Sequence, residues 1–499
     1  MTNATIQQSY AALPPVLYAE AALVPVAEPK LIIANDKLAE ELRLSRAWLH
    51  SDEALKLLSG SAPAAHGKPL AMAYAGHQFG GFNASLGDGR AMLLGDVLLA
   101  DGTRRELHLK GTGRTTFSRG ADGRATLSAM LREFIVSEAM HFLGVPTTRS
   151  LAVVETGERV WRQRPEQGAV LTRVAKSHVR VGTFQYLAAR GEVDAVRALM
   201  EHEIARHMPG VSGPRGFLAE AIARQARLIA GWMSFGFIHG VMNTDNMQIA
   251  GETIDYGPCA FMDGFDPQKV FSSIDEYGRY AFDKQPVIGL WNLTRLAECL
   301  LPLLDDDKDK AVKIAESELA KFMPQFELAF EQRMLAKLGI ADLAHSGLIA
   351  KTLQQMANAR ADFTRFFTAL TRHVETHSAV IPAKAGISVT NDNTDARVRG
   401  HDGLLELFSS PQAFDEWKAQ WDKLRSINAL ALMQMHNPVY IARNHRVEKA
   451  LVAAVEGNLL PLHRLLIAIR APFTARDEIA DLENAPGPQE EVLQTFCGT

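Results

Sequence analysis

The chain has 499 residues, 53 Lys and Arg against 57 Asp and Glu, 47% apolar residues and three cysteines. That length suggests roughly three domains or one large two-lobed enzyme, with a core that needs neither disulfides nor a structural metal. A net charge of −4 argues against a broadly basic nucleic-acid binder, and no apolar run of about eighteen residues marks a membrane span.

No positive charge precedes Lys30, so neither a secretory nor an Arg-rich transit peptide is expected, and the chain reads as cytoplasmic. Cys259, Cys299 and Cys497 have neither disulfide-framework nor metal-ligand spacing.

In chain order, residues 1–69 form a Pro-punctuated arm with a short helix at 36–42. From 70 to 185 the pattern turns to strands and glycines. The stretch RAMLLGDVLLADGTRRELHLK (90–110) predicts two strands joined at Asp101-Gly102, a favoured hairpin pair. A second hairpin is expected around Thr156-Gly157, between strands at 150–155 and 159–163. Between the hairpins lies a helix at 125–143, with Leu127, Leu131, Ile135, Ala139 and Phe142 on one face. Residues 186–377 are mostly helical. The strongest helix covers 217–235, with Leu218, Ile222, Ala226, Ile229 and Met233 at helical spacing. Segment 378–403 lacks periodicity and reads as a loop-like insertion. Residues 404–499 return to helix and end in a Pro/Gly-rich tail. A β-rich lobe with one helix, followed by an α-rich lobe, predicts an α+β chain.

Several residues carry candidate chemistry. In Leu86-Gly-Asp-Gly-Arg90, Gly87 and Gly89 would let backbone N–H groups approach phosphate, and Arg90 adds charge. Lys110, ending a strand, can neutralise a triphosphate, although no Walker A sequence surrounds it. Glu133, on the next helix, is the natural partner of Lys110. Arg173 and Arg180 form a cationic pair suited to phosphate. His202 and His207 are five apart and do not share a helix face, so they make no zincin motif.

The strongest signal is residues 239–246, His-Gly-Val-Met-Asn-Thr-Asp-Asn, followed by Asp255-Tyr256-Gly257. Protein kinases place a His-led catalytic loop ending in a metal-binding Asn before a hairpin and an Asp-Phe-Gly turn. His239 and Asn246 fit both ends of that frame, and a hairpin turning at Gly251 would lead to Asp255 as second metal position. Such oxygens suit Mg²⁺. Val241 stands where a kinase keeps its catalytic Asp. Asp245 is the nearby carboxylate that could replace it, the competing reading being a solvated cap residue.

These segments resemble the selenoprotein O (SelO) family of kinase-fold protein adenylyltransferases. The resemblance covers nearly the whole chain apart from 378–403. It runs through SYAALPP near the start, GHQFGGFNASLGDGRA (76–91), LKGTGRTTFSRGADGRATLSAMLREF (109–134), HGVMNTDNM (239–247), IDYGPCAFMD (254–263), GRYAFDKQP (278–286), NPVYIARNHRVE (437–448) and the terminal TFCGT. It implies a bilobal protein-kinase-like fold with an N-terminal arm and a helical C-terminal extension. It implies nucleotide binding by Gly87, Gly89, Arg90, Lys110, Asp122, Gly123, Arg173, Arg180 and Asp255, proton acceptance by Asp245, and Mg²⁺ or Mn²⁺ held by Asn246 and Asp255. ATP, as co-substrate, would bind in reverse relative to a kinase. A Ser, Thr or Tyr hydroxyl of a protein substrate would then attack the α-phosphorus and release pyrophosphate. Alternative readings are transfer from UTP, γ-phosphoryl transfer, and an ATP-binding scaffold without transfer activity. The chain departs from the family at Ser272-Ser273-Ile274-Asp275, at Gln248, and near Cys497, which has no CxxC partner.

Overall fold

The computed structural model describes residues 5–65, 67–378 and 404–496. The insertion expected at 378–403 lies outside the described residues, except that Ser378 ends a helix. Cys497 is likewise outside them.

The alternating residues of the first half build one antiparallel sheet. Its strands are β1 (Tyr18–Glu20), β2 (Lys30–Ala34), β3 (Leu70–Met72), β6 (Ala91–Leu98), β7 (Arg104–Lys110), β9 (Arg149–Trp161) and β10 (Pro165–Ala175). They lie in the order β1-β3-β6-β7-β10-β9-β2, with the short β8 (Ala125–Thr126) beside β10. A separate ribbon pairs β4 (Gly76–Gln78) with β5 (Gly81–Asn83). One sheet face, with Met92, Leu94, Leu107, Leu109, Val154 and Val170, packs on the arm helices α1 (Asp36–Glu41), α2 (Arg46–Leu49) and α3 (Asp52–Leu58). The other face, with Leu93, Val153, Ala169 and Leu171, packs on α4 (Leu127–Phe142). Period-two alternation is what separates the two sets. Helix α4 is capped by the Thr126 hydroxyl and buried nearly all round, including Arg132, Glu133 and Glu138. Its polar residues are therefore bound to find partners inside the protein.

From Val181 onward the described chain is mainly helical: α5 (Val181–Ala188), α6 (Val193–His207), α7 (Gly213–Ser234), α8 (Gln285–Leu304), α9 (Lys308–Leu319), α10 (Phe322–Lys337), α11 (Gly347–Ala359) and α12 (Phe363–Ser378). After the insertion come α13 (Pro411–Leu424), α14 (Ala429–His436), α15 (Asn444–Val455) and α16 (Leu460–Ile469). Helix α8 alone among the described residues is long and apolar enough to cross a membrane. It is a core element here: Ile288, Leu293, Leu296 and Leu300 are buried, and Arg295 pairs with Glu298 on its outer side at 2.6 Å.

Three turns differ from expectation. Asp101-Gly102 does lie in the β6–β7 turn, but the connection is longer than two residues: Leu98 pairs with Arg104, and Leu99 N–H donates to Thr103 at 2.8 Å. Thr156-Gly157 is no hairpin, because β9 runs unbroken to Trp161 and the chain turns at 162–164. Gly157, at φ +72°, instead admits the backbone of Glu28, whose nitrogen would lie 2.9 Å from an added Cβ. A strand glycine can mark such an approach rather than a reversal. Gly251 does turn the chain, but its flanks pair elsewhere, Gln248 with Arg180 and Thr253 with Thr147.

Candidate active site

On β7, alternation that buries Leu107 and Leu109 under the arm helices sends Glu106, His108 and Lys110 to the opposite face. On β10, Arg173 pairs in register with His108 and Leu171 with Lys110, so Arg173 and Lys110 emerge as diagonal neighbours. Glu133 of α4 lies beneath both. The Lys110 ammonium donates to Glu133 and, at 2.6 Å, to Asp255 Oδ1. Arg173 grips Glu133 through Nε (3.0 Å) and Nη2 (2.8 Å) and also donates to Asp255. Burial works against ionising either carboxyl. The Arg173 and Lys110 cations nonetheless hold both below the usual range, and Arg180 helps keep Asp255 well below it. Asp255 sits at φ +65°, a left-handed backbone that costs a non-glycine residue energy and concentrates at functional sites.

The His239 loop supplies the other wall. Buried His239 accepts the Val241 N–H at Nδ1 and donates from Nε2 to Ile254 O at 2.9 Å, tying the loop to the residue before Asp255. Asn246 donates its amide N–H to Val241 O at 3.1 Å, which leaves Oδ1 as its acceptor atom. Asp245 is only 6% exposed, so the solvated-cap reading fails. Its Oδ2 accepts from Gln78 at 3.2 Å and its Oδ1 has no side-chain or backbone partner among the described residues; burial pushes the carboxyl up to about 6, although Arg180 opposes this. Arg180 donates to the Asp245 carbonyl at 2.9 Å, covers the Tyr74 ring at 4.4 Å, and stands 3.9 Å from both Asp88 Oδ1 and Asp255 Oδ2.

The glycine loop packs closely on its own chain. Gly87 N–H donates to Tyr74 O at 3.0 Å, Asp88 N–H to Met72 O at 2.9 Å and Gly89 N–H to Gly87 O at 2.8 Å. The amides that were to cradle phosphate are thus engaged within the chain. Close packing is what requires the glycines: Gly87 has φ +64°, a Cβ there would overlap the Phe117 ring, and one on Gly89 would lie 2.8 Å from Phe117 O. The Phe117 loop continues to Asp122, which accepts Arg124 N–H (2.9 Å) and Arg162 (2.8 Å), and to Gly123 at φ +70°. Gly87→Ala is expected to lower stability by about 2 kcal/mol through strain and overpacking, read as a lower thermal midpoint with weaker nucleotide binding.

A cavity of ≈ 580 Å³, within the range of small-molecule sites, is lined by Gly87, Gly89, Arg90, Lys110, Asp122, Gly123, Arg173, Arg180, Asp245, Asn246 and Asp255. Glu133 stands behind Lys110 and lines an adjoining cavity. Tyr74, Gln78, Asp88 and Phe117 also line the main cavity and were missed by sequence reasoning. The GHQF, LGDGR and TTFSRG segments carried the signal for Gln78, Asp88 and Phe117, but not their meeting with the loop, since Gln78 meets Asp245 across 167 positions.

Beneath the cavity lies a buried ionic layer. His108 bonds Asp88 at 3.0 Å and stacks on His178 at 4.4 Å; His178 bonds Glu106 at 2.8 Å, and Arg206 is 3.5 Å from Glu106. Burial pushes His178 down to about 4. Burial would raise Glu106, but Arg206 and the His178 bonds hold it at about 2. Both groups take up protons more readily unfolded, so their contributions are complete above the unfolded values and shrink as pH falls toward the folded ones. The thermal midpoint should therefore decline from about pH 6.5 to 4 through His178 and further below about 4.5 through Glu106, and Glu106→Gln should flatten the lower part, in a pH series of melts.

The family model for "Protein adenylyltransferase SelO" matches residues 1–470. The chain belongs to the SelO family. Its SelO relatives include proteins named "Protein nucleotidyltransferase YdiU" from Rhodopseudomonas palustris strain BisB5 (52% identical, 98% of each chain covered) and Bradyrhizobium sp. strain ORS 278 (50% identical, 99% of each covered). Another of that name, from Nitrobacter hamburgensis, is 47% identical over 98% of this chain and 95% of its own.

The remaining SelO-like segments hold the site in place. Arg132 of α4 donates to Gly257 O (3.0 Å) and Cys259 O (2.7 Å), just beyond Asp255, and to Asn444 and Glu448 of α15 at 2.9 Å each. Arg443 pairs with Asp263 and, at 2.8 Å, with Asp362. In the departing stretch 272–275, Asp275 accepts two backbone N–H groups of its own turn, whereas the buried Gln248 side chain has no hydrogen-bond partner among the described residues. Cys259 and Cys299 are buried.

Proposed function

We propose that this SelO-family chain transfers an adenylyl group from ATP to Ser, Thr or Tyr hydroxyls of protein substrates, releasing pyrophosphate. The observation that carries the reading is Asp245: a buried carboxylate with one unpartnered oxygen, sharing a cavity with Lys110, Arg173, Arg180, Asn246 and Asp255. A sheet carrying the Lys110–Glu133 pair, followed by helices and a His-led loop, supports a bilobal protein-kinase-like architecture. Three cysteines without disulfide-framework spacing and the use of ATP fit a cytoplasmic setting.

Asp245 orients the acceptor hydroxyl and takes its proton as the oxygen bonds to the α-phosphorus. The bond from that phosphorus to the bridging oxygen breaks, and its electron pair leaves with pyrophosphate. Lys110, Arg173, Arg180 and Arg90 neutralise phosphate charge. Glu133 keeps Lys110 and Arg173 aimed at the cavity. Asn246 Oδ1 and the Asp255 carboxylate are hard oxygen donors that fit Mg²⁺ or Mn²⁺, and such a cation supplies charge neutralisation at the phosphates. Among the described residues no three His, Cys, Asp or Glu side chains converge as a metal centre, so nucleotide oxygens or water would complete the coordination.

The relatives' names specify nucleotidyl transfer without a base, so UTP is the competing donor. Incubation with ATP or UTP plus Mg²⁺, followed by intact-mass measurement, separates them. A gain of adenylyl mass from ATP, exceeding any uridylyl gain and absent in Asp245→Asn, is expected. Uridylyl gain alone would replace the adenylyl reading, and no gain on the chain or on an added protein acceptor would refute transfer.

A further inference from the structure

Beside the catalytic cavity lies a second depression of ≈ 510 Å³, and Phe79 and Ile274 line both. Phe79 is held at φ +51°, a left-handed backbone unusual for a bulky residue. Its N–H bonds Asn243, two residues before Asp245, at 3.2 Å, and its ring packs on Tyr280. The opposite wall is a turn built on Asp275, whose carboxylate accepts the N–H groups of Arg279 (2.9 Å) and Tyr280 (2.8 Å). That turn presents Ile274 (60% exposed) and Tyr277 (94%), and the first turn of α8 adds Val287 (58%). Large apolar side chains displayed together on a fixed turn mark an interaction surface. Arg279 adds a charge. Its guanidinium lies over Trp291 at 4.8 Å and bonds the Tyr280 side chain, and among the described residues it pairs with no carboxylate and its Nε has no hydrogen-bond partner.

We propose that this groove receives the stretch of acceptor polypeptide next to the hydroxyl that reaches Asp245. A large apolar side chain of that stretch lies among Ile274, Tyr277 and Val287, and an acidic one meets Arg279. The occupant follows from two features. The groove is continuous with the cavity into which a polypeptide must deliver its hydroxyl, and Arg279, although Glu276 also lines the groove, pairs with no described carboxylate and so offers its charge to an acidic side chain. The proposal rests on the adenylyl-transfer reading.

The test uses the full chain, ATP labelled at the α-phosphate, Mg²⁺, and peptide libraries with a fixed Ser, Thr or Tyr and randomised flanks. Wild type is expected to select an apolar residue at one flanking position and Asp or Glu at another. Val287→Asp, at an exposed position in a helix N-terminal turn that tolerates a carboxylate, should erase the apolar preference and raise KM for the best peptide on the order of tenfold. Arg279→Gln should erase the acidic preference alone. Both variants should bind ATP as wild type does. Labelling without flank preference, or preferences intact in both variants, would overturn the groove while leaving the transferase reading standing. Intact preferences together with dissociation of a dimer by Val287→Asp in light scattering would assign the face to a second copy instead. Failure to label any peptide would overturn the transferase reading and the groove with it.

Discussion

Asp245→Asn should bind nucleotide with near-wild-type affinity yet lose transfer by about 10²–10⁴-fold, the usual contribution of a positioned proton acceptor. The amide matches the carboxylate in shape and can still accept from Gln78, but it cannot take the proton of an incoming hydroxyl. Stability should move the other way. The wild-type carboxylate is buried with an unpartnered oxygen, so neutralising it removes a desolvation cost, and the thermal midpoint should hold or rise. A variant that was both inactive and markedly less stable would instead assign Asp245 a structural role. Isothermal titration with ATP and melting curves on one preparation read both quantities.

Asp255→Ala has the second large expected effect, with the opposite stability signature. Asp255 and Glu133 together balance Lys110 and Arg173, and Arg180 stands 3.9 Å from the second Asp255 oxygen. Removing Asp255 leaves buried Lys110 and Arg173 sharing Glu133 alone and buried Arg180 with Asp88 at 3.9 Å, and loss of one partner of a buried pair costs about 3–5 kcal/mol. The thermal midpoint should fall, and the gain in nucleotide affinity that Mg²⁺ gives wild type should vanish. Asp255→Asn should retain more of the stability, because its Oδ1 still accepts from Lys110, but little of the Mg²⁺ dependence. Equal Mg²⁺ dependence in wild type and Asp255→Ala would remove Asp255 from the cation site.

Much of the site could be read from the sequence because it rests on local periodicity. Lys110 ends a strand whose alternation sets its face, and Glu133 lies on the next helix, so their meeting needs only that the helix pack on the sheet. Asn246 and Asp255 flank a short connection inside one motif-dense segment. What escaped depends on chain segments far apart in sequence. Arg132 carries no local signal of its role: α4 is buried nearly all round, and the Arg132 guanidinium joins the Asp255 loop to α15 across more than 300 positions. Gly87 and Gly89 were read as phosphate-facing, but their amides are spent within the chain and their missing side chains make room for Phe117. Gly157 looked like a turn because glycine punctuates turns. In a strand it instead admitted the Glu28 backbone, a contact that no local pattern encodes.

Adenylyl transfer as proposed requires that the cavity present the α-phosphorus of ATP, not the γ, to an acceptor hydroxyl near Asp245. Parallel incubations with ATP labelled at the α- or γ-phosphate, followed by counting of precipitated protein, test it most directly. Protein-bound label from the α position only, with γ label recovered in pyrophosphate, is the predicted result; protein-bound label from the γ position would contradict it.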